Sequence, residues 1–265
     1  MKKLYCIMIV AAALFCGCNS KPGARARVNT TSGTDSSSVS SVSTSGIDDP
    51  TYGGFGGGAT PAPGEVEYDQ AMRAFEAGDT KSAFGYCEES ANKGFAPAQF
   101  NMAIFYYNGD GVTKDLSKTV YWLEKAAKQG HLQAQKQLAL CYRQGLGTKK
   151  DDKKGTYWYE EAAKLGDAEA QYKTATAYFQ GIGVIPAYEP AVKWYKKAAD
   201  QGLAEAQNDL ALCYENGLGV EKIDPNKALE LYQKAAAQGN KTARANAERL
   251  KKDMDKHGII YEIDK

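Results

Sequence analysis

Cysteine and histidine are the side chains whose spacing would say most about chemistry, and both are sparse. The six cysteines fall into two groups: Cys6, Cys16 and Cys18 near the start, then Cys87, Cys141 and Cys213. A thiol can serve as nucleophile, metal ligand or half of a disulfide, and each role needs a partner at a defined distance. His131 and His257 are the only histidines, too few for a multi-histidine metal site or a histidine-based triad. No serine stands at a suggestive spacing from a lysine or histidine. Four Gly-x-Gly pairs, Gly109/Gly111, Gly145/Gly147, Gly181/Gly183 and Gly217/Gly219, suggest a phosphate loop only superficially. A phosphate loop follows a strand, whereas each of these follows a helical pattern and is explained as the turn that ends it. Lys+Arg is 33 against 32 for Asp+Glu, so no basic excess points to nucleic acid. The residues predict no enzyme, no metal and no small-molecule cofactor.

The elements that would position any site are set by a repeat. Glycine makes up 27 of 265 residues, about a tenth, against a usual share of roughly 7%. Much of that excess is periodic. Ala-Gln recurs every 36 residues at Ala98-Gln99, Ala134-Gln135, Ala170-Gln171 and Ala206-Gln207. Tyr106, Tyr142, Tyr178 and Tyr214 keep the same interval of 36, each just ahead of its Gly-x-Gly. Ala-Ala follows at 126–127, 162–163, 198–199 and 235–236, and the units close on Gly94, Gly130, Gly166, Gly202 and Gly239. The last interval is 37, and the extra residue falls between Gly219 and Ala235. A fixed period of this length marks a solenoid.

Each unit predicts two helices. In the first, Ala98, Met102 and Tyr106 share one face at i, i+4 and i+8. Glycine then ends the helix in the left-handed conformation without strain. The second helix starts at an acid (Asp115, Asp151 or Asp152, and Asp224), whose carboxylate caps the free N–H groups of the first turn. In unit three Tyr188 is expected to replace that aspartate, between Pro186 and Pro190, and in unit two Gly155 replaces an alanine. Trp122, Trp158 and Trp194, with Leu231 in the fourth unit, are expected core anchors. His131, in an inter-repeat turn, is expected to be solvated.

The pattern resembles the Sel-1-like repeat family, a relative of the tetratricopeptide repeats. The segment Ala204-Glu205-Ala206-Gln207-Asn208-Asp209-Leu210-Ala211-Leu212-Cys213-Tyr214-Glu215-Asn216-Gly217-Leu218-Gly219-Val220 carries the likeness, together with Lys227-Ala228 and Tyr232-Gln233-Lys234-Ala235-Ala236. The resemblance spans about residues 66–254. It implies an all-α, right-handed α/α solenoid of helix-turn-helix units whose concave face is lined by the first helices. On this basis residues 65–94 form a degenerate capping repeat and 95–239 four full repeats. Residues 240–265 form a capping helix and a tail, and His257-Gly258-Ile259-Ile260-Tyr261 could fold back on that cap. The family implies an interaction protein that binds a peptide or protein partner. The alternative is a cell-wall or β-lactam hydrolase, as described for a cysteine-rich branch in which a disulfide staples each repeat. This chain lacks those paired cysteines. Cys141 and Cys213 share one column two units apart, and stacked units step by about 8–10 Å. A disulfide needs Cα atoms within about 7 Å, so the thiols are expected to be free and buried.

Specificity should come from columns that vary between units, because the Ala-Gln ladder is common to all. One such column is Tyr107, Arg143, Phe179 and Glu215; another is Phe100, Lys136, Tyr172 and Asn208. Aromatic and arginine side chains are common anchors of protein interfaces, so these eight residues are the candidate protein-binding set.

The first residues are an address. Lys2 and Lys3 precede an apolar run, Leu4 to Phe15, of 12 residues, shorter than the roughly 17–25 that a spanning helix needs. Phe15-Cys16-Gly17-Cys18 resembles a bacterial lipobox, with Phe15 departing from the usual leucine. The resemblance implies cleavage of residues 1–17 as a lipoprotein signal peptide and acylation of Cys18. The protein would then be lipid-anchored in the bacterial cell envelope, at the outer membrane since Asn19 is not aspartate. Residues 18–64 are the lipidated N-terminus and a Gly/Ser/Thr-rich tether without a buryable face.

Overall fold

The computed structural model describes residues 60–257. The lipobox with Cys18, most of the tether and the tail beyond His257 lie outside these residues. Among the described residues there are eleven helices and no strand. They run α1 Glu65–Glu76, α2 Thr80–Asn92, α3 Ala96–Asn108, α4 Leu116–Lys128, α5 Leu132–Gln144, α6 Asp152–Lys164, α7 Ala168–Gln180, α8 Tyr188–Asp200, α9 Ala204–Asn216, α10 Pro225–Ala237 and α11 Lys241–His257. Extensive packing joins only helices adjacent in sequence, as expected of a solenoid in which each unit touches its neighbours. The four units are α3/α4, α5/α6, α7/α8 and α9/α10, with α1/α2 ahead of them and α11 behind. The loop between α9 and α10 absorbs the extra residue.

Small residues let the helices approach closely. Ala98, Ala134, Ala170 and Ala206 are wholly buried, as are Ala126, Ala162, Ala198 and Ala235 on the second helices. Large side chains fill the rest unevenly. Trp122 and Tyr232 are buried, whereas Trp158, Trp194 and Leu231 are only half-buried, so the expected anchor column is a core column in the first unit alone. The tyrosine column is buried in the first two units and half-buried in the last two. Lysines cover three of its rings, Lys118 over Tyr106 at 4.8 Å, Lys154 over Tyr142 at 5.0 Å and Lys227 over Tyr214 at 4.4 Å.

The paired glycines do two different things. Gly145 caps α5 with φ 72°, donating its N–H to Cys141 O. Gly147 also has positive φ, and it rests against the preceding unit, where a Cβ would stand 2.1 Å from Leu116 O. The first glycine answers a backbone conformation, the second a close approach as well.

Second helices begin as expected in three units, where Asp115, Asp151 and Asp224 accept from the backbone N–H of Lys118, Lys154 and Lys227, each at 3.0 Å. In unit two the cap is therefore Asp151, and Asp152 is the first helical residue. Unit three corrects the expectation. Ala187, not Tyr188, holds the cap position, without a side-chain bond, and Tyr188 opens the helix. The third helical residue there is Pro190. Proline has no N–H to give, so a capping carboxylate would lack its donor.

The Ala-Gln ladder is structural. Gln99, Gln135, Gln171 and Gln207 each donate from Nε2 to a backbone carbonyl of the preceding helix: Ala91, Ala127, Ala163 and Ala199, at 3.2–3.3 Å. A second glutamine then donates to the Oε1 of the first, Gln129 to Gln99 at 2.7 Å, Gln201 to Gln171 at 2.8 Å and Gln238 to Gln207 at 2.8 Å. Unit two has Leu165 at that position, and it is exposed. Gln135 Oε1 is left buried without a hydrogen-bond partner among the described residues.

Candidate protein-binding face

The open face of the first helices follows from which side is buried. In α3 the buried positions are Ala98, Gln99, Met102, Ala103, Phe105 and Tyr106. At about 100° per residue, the direction opposite their mean passes through Ile104, with Pro97, Phe100 and Asn108 close beside it. The same register gives one stripe along the four units: Ile104, Leu140, Thr176 and Leu212, all half-buried. Asn108, Gln144, Gln180 and Asn216 border it, exposed, with a carboxamide in every unit. Both columns went unmarked in the sequence because they hardly vary. The missed signal was the helical wheel around the buried alanines.

The columns expected to bind flank this stripe, the Phe100 column as closely as the Asn108 column, and are engaged within the fold. Phe100, Lys136, Tyr172 and Asn208 each reach into the next unit by a different chemistry. Phe100 stacks on the His131 ring at 4.7 Å and 25°. Lys136 pairs with Asp167 at 3.1 Å and Glu169 at 2.7 Å. Burial works against its charge, but the Glu169 and Asp167 carboxylates outweigh this and raise its pKa. Tyr172 donates to Asp209 at 3.0 Å, and its ring leans on Tyr195. Asn208 is buried; it donates to Asp209 at 2.9 Å and accepts from Asn246 at 3.1 Å.

The other column packs mainly within its own unit, and Glu215 also reaches α11. Lys114 covers the Tyr107 ring at 4.8 Å. The stem of Arg143 lies over Gly155, where a Cβ would come within 2.4 Å of Arg143 Cγ. That contact accounts for glycine in an alanine column. Phe179 meets Tyr188 edge-on at 5.1 Å and Tyr195 at 6.2 Å. Glu215 accepts from Tyr232 and from Arg249 of α11, each at 2.9 Å. Burial opposes its ionisation, yet the Arg249 and Tyr232 bonds win and lower its pKa.

His131 is not a free turn residue. Its Nδ1 accepts from Ala134 N at 3.2 Å, so it caps α5 as well as stacking on Phe100. The three thiols are buried and unbridged. Burial pushes Cys141 up to about 11; burial, with the charge of Glu88 or Asp209 nearby, pushes Cys87 and Cys213 up to about 12. They stay protonated at neutral pH, the unreactive form for nucleophilic chemistry.

Asp209 stands at the edge of the stripe. Burial raises its pKa, Asn208 and Tyr172 partly offset that, and the charge of Glu205 adds to the rise.

Known proteins share this architecture. The Sel1 repeat model matches residues 96–131, 132–167, 168–203 and 204–240. A protective antigen present in uropathogenic Escherichia coli strains and displaying an SLR fold is 32% identical, with a TM-score of 0.64 over 75% of this chain. The chain spans only 42% of that structure's length. A Sel1 repeat protein from Oxalobacter formigenes is 33% identical with a TM-score of 0.61, covering 68% of this chain and 75% of its own. No curated protein matches the chain. Proteins built from this repeat generally mediate protein–protein interactions.

Proposed function

This chain belongs to the Sel1 repeat family, and we propose that it is a membrane-tethered scaffold that holds a peptide or protein partner in the concave groove of its solenoid. One observation carries the reading. The open face of four successive first helices presents a stripe of Ile104, Leu140 and Leu212, interrupted by Thr176, beside the carboxamides of Asn108, Gln144, Gln180 and Asn216. An amide can donate to and accept from a peptide backbone, and the stripe can bury alternate partner side chains. Of the residues first expected to bind, Phe100, Lys136, Tyr172 and Asn208 also join each unit to the next.

Sequence supports the tether. Cys18 is the acylation site, and each methylene of an acyl chain contributes about 0.8 kcal/mol to membrane attachment. Residues 19–64, rich in glycine, serine and threonine, are the tether in this reading. The anchored protein belongs to a bacterial envelope membrane, the outer one where there is one.

The test is capture by crosslinking in intact cells. Leu140→Glu with Leu212→Glu should lose the captured partner while the domain unfolds at nearly the wild-type temperature. Recovery of the same proteins at wild-type yield would move the binding face elsewhere. Cys18→Ser should release the protein from membranes; unchanged membrane fractionation would refute lipidation at that thiol.

A further inference from the structure

Each within-unit loop rests on the start of the preceding second helix, Gly147 on Leu116, Gly183 on Asp152 and Gly219 on Tyr188. The loops therefore form one edge of the solenoid, and its chemistry changes along its length. In the stretch that runs from the second glycine into the first turn of the second helix, unit one has Lys114, Asp115 and Lys118 as its charges. Unit two has Lys149, Lys150, Lys153 and Lys154 with two aspartates. In unit three the same stretch, 184–190, has Glu189 alone. Ile185 there is 85% exposed and Tyr188 46%, and Ile223 in the loop of unit four is 60% exposed. An exposed apolar patch rimmed by polar groups is the usual mark of a contact site.

Shape and charge at the junction of units three and four narrow the choice of partner. An open depression of about 340 Å³ is lined by Ala187, Tyr188, Glu189 and Pro190 of unit three and by Gly219 of unit four. Glu189 in its wall, and Glu221 two residues past Gly219, are exposed carboxylates with no ion pair among the described residues. Lys193 and Lys222 are near them in sequence, and neither pairs with them. Other acids of the second helices are answered: Asp152 by Lys150, Glu160 and Glu161 by Lys164, and Glu230 by Lys234. A cation is also missing from the neighbouring ring. Lys118, Lys154 and Lys227 cover the tyrosines of their units, but unit three has Pro190 at that position, and no lysine covers Tyr178.

We propose that this junction docks a partner protein through a segment in which an apolar side chain stands beside a lysine or arginine. The apolar side chain enters the depression against Tyr188 and Pro190, and the cation pairs with Glu189 and Glu221. The partner thus supplies the charge that unit three, unlike its neighbours, does not supply for itself. Unit two repels the same segment with its four lysines, so the contact is confined to one end of the edge. An anionic lipid surface fits the spot less well, because the two carboxylates flanking the apolar patch repel it. The contact uses none of the residues of the first-helix stripe, and it stands whether or not that stripe binds.

NMR titration of the isotope-labelled full chain with two synthetic peptides tests this. One is acetyl-Gly-Leu-Gly-Arg-Gly-amide; the other has glutamate in place of arginine. In an extended peptide the leucine and the charge lie on the same side. The arginine peptide should bind about fivefold more tightly, the worth of a good exposed ion pair, and the preference should fade in high salt. The shifted amides should fall within 187–191 and 219–223, and those of 148–155 should stay in place. Glu189→Lys with Glu221→Lys should reverse the preference, and Tyr188→Ala should weaken both peptides while keeping their ratio. Equal affinities overturn the proposal, as do shifts centred on 148–155 or no saturable shift with either peptide. Shifts at this edge that grow with protein concentration alone would assign it to a second copy of the chain. Selective broadening of 185–188 by spin-labelled phosphatidylglycerol vesicles, with no response to the peptides, would assign it to lipid.

Discussion

Units two and three depart from the shared pattern in opposite ways. Unit two replaced one member of a bonded pair, putting Leu165 where units one, three and four have Gln129, Gln201 and Gln238. The other member, Gln135, stayed, and its Oε1 is buried with no partner among the described residues. Unit three replaced both members at once. Ala187 removed the capping carboxylate and Pro190 removed the N–H it would have bonded. A matched loss leaves no polar group stranded, whereas a single loss leaves one that burial penalises.

The largest expected effect probes a position that both kinds of unit keep. Gly219→Ala sets a Cβ 2.4 Å from the Tyr188 carbonyl at a φ of 69°. It should cost at least about 3 kcal/mol in denaturant unfolding. Gly202→Ala, also at positive φ but facing open space, should cost only about 1 kcal/mol. Equal costs would show that the units do not press together at the paired glycines.

Capping comes next. Asp151→Ala should destabilise by about 1 kcal/mol, the usual loss for a bonded cap. Ala187→Asp alone should change the melting temperature little, because Pro190 cannot donate. Ala187→Asp with Pro190→Lys should restore about 1 kcal/mol and place a lysine over Tyr178 as in the other units. A full gain from Ala187→Asp by itself would break the matched-pair account.

Repairing unit two sharpens the other half of the comparison. Leu165→Gln offers Gln135 Oε1 the donor that its counterparts have and should stabilise by about 1 kcal/mol. The partner substitution Gln129→Leu in unit one should lose a similar amount, and calorimetry of the two variants checks that symmetry.

The smallest effect concerns pH. Free thiols ionise near 8.5, while the folded protein holds Cys141 at about 11 and Cys87 and Cys213 at about 12. Folded values raised in this way contribute stability that is complete below about pH 8.5 and lost as pH rises toward the folded values. Unit three already has Ala177 in the column of Cys141 and Cys213. Cys141→Ala with Cys213→Ala should therefore fold and show a shallower loss of melting temperature between pH 8 and 10. An unchanged alkaline slope would assign that loss to the buried tyrosines.

The helices and turns were legible because their signals are local. Glycine permits the left-handed turn wherever it stands, an aspartate caps whatever N–H comes after it, and a recurring alanine face needs only the helical period. The single-residue shift at Tyr188 escaped because Pro186 and Pro190 obscure the start of α8, and only the backbone shows Ala187 at the cap. The varying columns have a role inside the fold that the sequence did not reveal. Variation between units suggests a surface that meets a partner. In Phe100, Lys136, Tyr172 and Asn208 it reflects four chemistries for one job, joining each unit to the next. The stripe from Ile104 to Leu212 escaped because it is nearly uniform.

Sequence by itself determined the repeat, its period, its two helices and the glycines between them, since each rests on the conformational limits of a few adjacent residues. Only the tertiary structure decided which side of each first helix stays open and which polar groups lack partners. It also decided which edge carries exposed isoleucine. Those outcomes depend on residues one unit away, across contacts made only when the units stack. Burial and hydrogen bonding are settled by neighbours in space, and the period of a sequence does not specify what those neighbours do.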